Sequence, residues 1–275
     1  MLKAGVVGFL PDDRSKTEET WKLLEKYAEI GYRAMDMDLD YAIPGGDLKE
    51  KYERVCSLGI KPIMSGASPE VFQDPAAKIK SLHIQEINQV CMYSSSMIAS
   101  FRRGYGSNAG YDEVMQDFEF MNKAVLFFES EGIHFCYHNH YQEFTTCYNG
   151  ISGFDLMLLH VDPRLKFNID LGWAMVAGVD PVKLLKRLAG RIANVTLKEL
   201  YDLEAPKHLL TSNPSTKVGF TSLGSGLLPV DPILEEMDRQ GLSYACVEQD
   251  VLRHLDRVQT LTASYLRMKE SGYVK

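Results

Sequence analysis

Basic runs are missing from this chain. Its 30 Lys and Arg residues are scattered and outnumbered by 37 Asp and Glu, a formal charge of −7. A phosphate backbone needs a clustered basic face, so nucleic acid is not an expected partner. No apolar run is long enough to cross a bilayer, and the first residues lack the order of a secretion signal. The expectation is a cytoplasmic protein without a membrane partner. Cysteine is sparse: Cys56, Cys91, Cys136, Cys147 and Cys246 are an odd number, widely spaced, several inside apolar runs. That argues against a disulfide framework or a cysteine zinc site and for reduced core thiols. Linkers, low-complexity tracts and close repeats are also lacking. Gly5 and Gly8 after the first apolar run do not make the Gly-x-Gly-x-x-Gly turn of a dinucleotide-binding sheet.

What is present is an alternation. Strand-like runs at Ala4 to Phe9, Arg33 to Asp40, Lys61 to Ala67, Ile87 to Tyr93, Ile133 to Tyr137, Leu165 to Leu171, Ile192 to Leu200 and Ser243 to Asp250 each precede a helix-like segment. Helix starts are marked by Ser15 to Glu18, with capping-box spacing, and by Asp74-Pro75, Asp180-Pro181 and Asp231-Pro232. Gly31, Gly59, Gly132, Gly190 and Gly241 mark the ends. Two stretches, Ser94 to Gly110 and Tyr201 to Pro229, read as long loops; the second holds Gly224-Ser225-Gly226. Eight βα units in series imply a parallel sheet closed into one (β/α)8 TIM barrel over residues 1–275, with an open doubly wound sheet as the alternative.

Side chains alternate along a strand, so each strand has two sides. In the second strand Met35, Met37 and Leu39 oppose Asp36, Asp38 and Asp40. In the fifth, Phe135 and Tyr137 oppose Cys136, His138 and His140; in the sixth, Phe167, Ile169 and Leu171 oppose Asn168 and Asp170. In the seventh, Val195 and Leu197 oppose Asn194, Thr196 and Lys198; in the eighth, Ala245 and Val247 oppose Cys246, Glu248 and Asp250. With the apolar sides against the helices, the polar sides converge on the carboxyl-end mouth of the barrel. Singly, Asp170 reads equally as a helix cap, Glu248 and Lys198 as ion-pair partners, and Trp173 as a core aromatic. Together, carboxylates gathered in a partly desolvated mouth need a cation, a proton or basic side chains to offset their charge.

Several of these runs resemble the sugar phosphate isomerase/epimerase superfamily of xylose-isomerase-like TIM barrels, which includes inosose dehydratases and tagatose/psicose epimerases. The residues that carry the resemblance are His138-Asn139-His140 with Glu143-Phe144, Asp170-Leu171-Gly172-Trp173, Ala177-Gly178-Val179-Asp180-Pro181, the strand bearing Lys198, and Glu248-Gln249-Asp250. The resemblance implies a divalent ion (Mn²⁺, Mg²⁺, Co²⁺ or Zn²⁺) held by Glu143, Asp170, Glu248 and a histidine of the seventh strand. Here that histidine is replaced by Thr196, a poor ligand beside imidazole, and the following Lys-Asp pair reads Lys198-Glu199. A water, His138, His140 or His208 could take the open position.

The activity implied is isomerisation or epimerisation of a sugar, sugar phosphate or polyol, with proton removal beside a polarised carbonyl. Glu143 and Glu248 would exchange the proton, and Lys198 would hold developing negative charge. His138, His140, Trp173 and Asp250 would bind substrate. Gly224-Ser225-Gly226, or Arg102 and Arg103, could meet a phosphate. A dehydratase on a keto-polyol would share the first step, and a non-catalytic sugar-binding barrel is the reading that Thr196 favours. Homo-oligomers are common among such barrels.

Overall fold

The structure is a computed structural model that describes residues 1–98, 109–202 and 219–275. Nine strand segments run parallel in the hydrogen-bonded order Lys61–Pro62, Ala34–Met35, Lys3–Val6, Tyr244–Glu248, Ile192–Lys198, Lys166–Asp170, His134–His138, Gln89–Met92, Ser65–Gly66. The two ends of this order are halves of one stretch of chain: Lys61–Pro62 pairs with the second strand and Ser65–Gly66 with the fourth. The third strand thus closes the sheet on itself, and eight strands make a barrel.

The apolar sides pack outward as the alternation requires. Phe135, Phe167, Ile169, Val195, Leu197, Ala245 and Val247 join one large core with the inner faces of the surrounding helices, such as Val114, Phe118 and Phe128 of Tyr111–Ser130. The barrel interior is a smaller cluster of Ala34, Ile63, Met64, Cys91, Cys136 and Cys246. Cys91, Cys136 and Cys246 are therefore reduced core thiols, whereas Cys56 and Cys147 are exposed.

Two of the four helix-start signals are followed: Asp74 accepts the Ala77 amide at 3.0 Å and Asp180 the Lys183 amide at 2.9 Å. The other two are not. Ser15 turns back to Asp13, its hydroxyl donating to Oδ1 at 2.6 Å, and the helix Thr17–Ile30 starts without a side-chain cap. The helix expected from Asp231-Pro232 starts at Val230, and Asp231 instead meets Arg267 at 2.7 Å.

The second strand is only Ala34–Met35, shorter than the alternation of Asp36, Asp38 and Asp40 suggests. Asp38 accepts the Tyr41 amide at 2.8 Å and caps a short helix, Leu39–Ala42, so local side-chain bonding ends the strand. Of the two long loops, residues 99–108 and 203–218, with Arg102, Arg103 and His208, lie outside the described residues. The flanks of the second pair as a ribbon, Leu200–Asp202 with Gly219–Phe220. Among the described residues no helix is long and apolar enough to cross a membrane.

Candidate active site

Parallel register sets the mouth. Thr196 lies beside Asp170 on one neighbour and Cys246 on the other, and Lys198 beside Glu248. This places the ends of the sixth, seventh and eighth strands side by side. Lys198 Nζ stands 2.7 Å from Asp250 Oδ1, 2.9 Å from Asp170 Oδ2 and 3.4 Å from Glu248 Oε2. Asp170 also caps the helix Leu171–Val176 by accepting the Trp173 amide at 2.8 Å, which turns its second oxygen toward the lysine. His138 Nε2 is 3.7 Å from that same Asp170 oxygen.

Charge and burial set the proton affinities. Burial alone would weaken the Lys198 ammonium, but Asp170, Asp250 and Glu248 outweigh it and hold its pKa above that of an ordinary lysine. Asp170 and Glu248 are both raised, chiefly by burial, with Lys198 opposing. Burial and then Lys198 lower His138 to about 3, so its imidazole is neutral. His140 is lowered by burial, His138 and Lys198.

Glu143 sits apart from this group. It is fully buried in the turn Gln142–Thr145, where Tyr137 donates to Oε1 at 2.5 Å and the His140 amide to Oε2 at 2.9 Å. Burial raises its pKa to about 7 against these two donors. Thr196, also fully buried, directs its hydroxyl to Asn168 Oδ1 at 3.4 Å. Trp173 is buried with Tyr141, Val176, Leu200 and Phe220, its ring centroid 5.1 Å from Lys198 Nζ. It serves as a wall for the lysine and not as an open platform. His140 packs edge-on against His138, at 5.2 Å between ring centres.

A pocket of about 460 Å³ opens at this mouth, lined in part by Asp36, Asp38, Tyr93, His138 and Glu248. Its carboxylates differ in what already occupies them. Asp36 accepts Tyr93 Oη at 2.8 Å, Asn168 Nδ2 at 2.9 Å and Asn194 Nδ2 at 2.6 Å. Asp38 accepts the Tyr41 amide and the Ser65 hydroxyl. Glu248 Oε2 accepts no hydrogen bond, and its side chain is 22% exposed. Asp36, Tyr93 and Asn168 belong to the site although sequence reasoning did not enlist them. The polar side of the second strand carried the signal for Asp36, and that of the sixth for Asn168.

Gly224-Ser225-Gly226 is bound to the chain's own carboxylate. Glu199 accepts the Gly224 amide at 3.0 Å and the Leu228 amide at 2.8 Å. Gly224 has φ 86°, and a Cβ on Gly226 would lie 2.2 Å from the Leu200 carbonyl oxygen, so both glycines are needed for this fit.

Donors suited to a divalent ion do converge: His138, Asp170 and Glu248 each offer an atom within 4.8 Å of the others. This set shares Asp170 and Glu248 with the one implied by the resemblance; Glu143 accepts one hydrogen bond on each oxygen, and the Thr196 hydroxyl is turned to Asn168. Carboxylate oxygens bind such ions at about 2.0–2.2 Å. An ion between Asp170 Oδ2 and Glu248 Oε2 would share its space with the Lys198 ammonium, 2.9 and 3.4 Å from those atoms. In this arrangement the residues do not fit a metal.

Comparison with known proteins agrees with the architecture. The family described as Xylose isomerase-like TIM barrel matches residues 24–260. No curated protein sequence matches the chain. A sugar phosphate isomerase/epimerase from Parabacteroides distasonis has a similar structure, with TM-score 0.72 and 18% identity, covering 99% of this chain and 100% of that one. A probable 3-DHS dehydratase from Bacillus anthracis gives TM-score 0.72 at 13% identity, covering 98% of this chain and 99% of that one. An L-ribulose 3-epimerase gives 0.68 at 14% identity, over 98% of this chain and 94% of that one. At these identities the likeness is one of fold.

Proposed function

We propose, from the premise that this chain belongs to the xylose isomerase-like TIM barrel family, that it isomerises or epimerises a sugar, sugar phosphate or polyol by moving a proton beside a carbonyl. The observation that carries this reading is Glu248. It lines the pocket, has an oxygen that accepts no hydrogen bond, and has a raised proton affinity beside a fixed cation. A carboxyl of that kind can take a proton and give it back. Neutral His138 and the Tyr93 hydroxyl stand at the same pocket to orient substrate oxygens.

Glu143 does not line the pocket, so its share is indirect: its carboxyl anchors the turn that follows His138. Among the described residues Glu248 is the pocket carboxyl with an oxygen that accepts no hydrogen bond, and a single base of that kind favours isomerisation over epimerisation. An isomerase needs only one base, which lifts the proton from one carbon and returns it to the adjacent carbon on the same face. An epimerase must deliver it to the opposite face. Dehydration of a keto-polyol begins with the same abstraction, and the dehydratase among the structural relatives keeps it as the second reading.

The test is a screen of ketoses, aldoses, their phosphates and inososes in D₂O, read by NMR and mass spectrometry. The proposal expects deuterium at the carbon beside the carbonyl, with part of the original hydrogen carried to the neighbouring carbon. Loss of water from an inosose would favour the dehydratase. Binding without exchange of any candidate would favour a non-catalytic sugar-binding barrel.

A further inference from the structure

Building on that proton-transfer reading, we infer that Lys198 is the resident cation of this site and does the work of a metal, so that the reaction runs without one. The two carboxylate oxygens best placed to hold an ion are the two that Lys198 Nζ already meets, at 2.9 Å on Asp170 and 3.4 Å on Glu248; a third carboxylate, Asp250, approaches it at 2.7 Å.

The lysine is built in and does not wander. Its side chain is 2% exposed. Trp173 covers Nζ on one side. Gly172 lies so close that a Cβ there would stand 2.7 Å from Lys198 Cβ and 2.3 Å from its carbonyl oxygen. The glycine therefore makes room for the lysine stem. Thr196, one inward position before Lys198, offers a hydroxyl already turned to Asn168 in place of an imidazole.

The chemistry balances without a further reagent. Glu248 removes the proton from the carbon beside the carbonyl. The C–H electron pair becomes the carbon–carbon double bond, and the carbonyl π pair moves onto oxygen. The enediolate forms in the pocket beside Glu248, and the Lys198 ammonium, buried behind that carboxyl at 3.4 Å from its Oε2, supplies the positive field that offsets the new charge. The proton of the neighbouring hydroxyl passes to the former carbonyl oxygen, and the electron pair it leaves forms the new carbonyl on the carbon that was deprotonated. The carbon–carbon double-bond pair takes the proton back from Glu248 at the former carbonyl carbon.

Wild-type protein and Lys198→Ala are stripped with chelator, analysed for metal content, and melted with and without Mn²⁺, Mg²⁺, Co²⁺ and Zn²⁺. A ligand that binds only the folded state raises the melting point. The expected result is no rise for wild type with any ion. Lys198→Ala, whose His138, Asp170 and Glu248 are freed, should gain a rise with Mn²⁺ or Zn²⁺. Stripped wild type should keep its deuterium exchange, and Lys198→Met should lose it by about 10²–10³-fold. Near-stoichiometric metal in wild type, with a raised melting point and exchange lost on stripping and restored by the ion, would overturn the inference while leaving the isomerase reading intact. If no sugar exchanges under any condition, the isomerase reading fails, and the melts alone still decide which cation the site holds.

Discussion

Lys198 and Asp170 form a fully internal ion pair, 2.9 Å from ammonium to carboxylate, on adjacent parallel strands at the mouth of the barrel. Asp170 is bound on its other oxygen by a helix amide, so the pair fixes strand, helix and charge together. Much of the behaviour expected of this protein follows from that contact.

Removing the ammonium leaves three carboxylates facing one another in a desolvated space. Lys198→Met should destabilise the fold by about 3–5 kcal/mol at neutral pH, the usual cost of breaking a buried pair from one side. The loss should shrink as pH falls and the carboxylates take up protons. Urea unfolding at pH 5 and pH 8 checks this; a loss that is the same at both would argue that the carboxylates are not what the lysine stabilises.

Glu143 carries a pH dependence of its own. Its folded pKa, about 7, lies above the ordinary 4.5, so between these values the folded state holds a proton that the unfolded state has lost. Its contribution is therefore fully present below pH 4.5 and declines as pH rises toward 7, by roughly 3 kcal/mol in all. Glu143→Gln should abolish that slope. Melting curves of both proteins across pH 4 to 8 should diverge on the acidic side and run parallel above about pH 7.5; parallel curves throughout would contradict the assignment.

Gly172→Ala tests the space made for the lysine. Its Cβ would lie 2.3 Å from the Lys198 carbonyl oxygen, which belongs to the backbone and has little freedom to yield. A loss of about 1–3 kcal/mol is expected, with a fall in turnover larger than the stability change explains. Ala at Gly110, whose φ is −68° and whose Cβ would meet only Glu113 Oε2 at 3.6 Å, serves as the control for a glycine with ordinary backbone and an ordinary contact. Equal effects on turnover at the two positions would remove the case for a close fit at Lys198.

The barrel was legible because its two periods are clean. Phe167, Ile169 and Leu171 against Asn168 and Asp170, and the Asp-Pro helix starts at Asp74 and Asp180, report side and boundary from the local chain alone. The family match over residues 24–260 and the closed parallel ring agree with that reading. Less visible was where a short strand ends. Asp36 and Asp38 both line the pocket, but Asp38 also ends the strand by accepting the Tyr41 amide, which alternation does not report. The split of the third strand into Lys61–Pro62 and Ser65–Gly66 depends on neighbours on both sides of the ring.

Within the site, the sequence brought Asp170, Lys198, Glu248 and His138 to one place, and the structure gathers them. The placement of Glu143 depends on Tyr137, which alternation assigns to the outer side of its strand. The tyrosine hydroxyl nevertheless curls to a turn six residues later, a contact that no periodicity encodes. The partner of Thr196 is likewise a matter of barrel geometry, since Asn168 lies on the adjacent strand, 28 residues away.

The most direct test of the account compares exchange of the carbon-bound proton into D₂O by wild type, Glu248→Gln and Glu143→Gln, each first shown folded by its melting curve. The account predicts that Glu248→Gln slows exchange by about 10²–10⁴-fold, the usual share of a general base. Glu143→Gln should retain most of it, because its carboxyl acts through the turn it holds. Exchange that survives in Glu248→Gln but is lost in Glu143→Gln would contradict the assignment of the base and move the chemistry to the other side of the mouth.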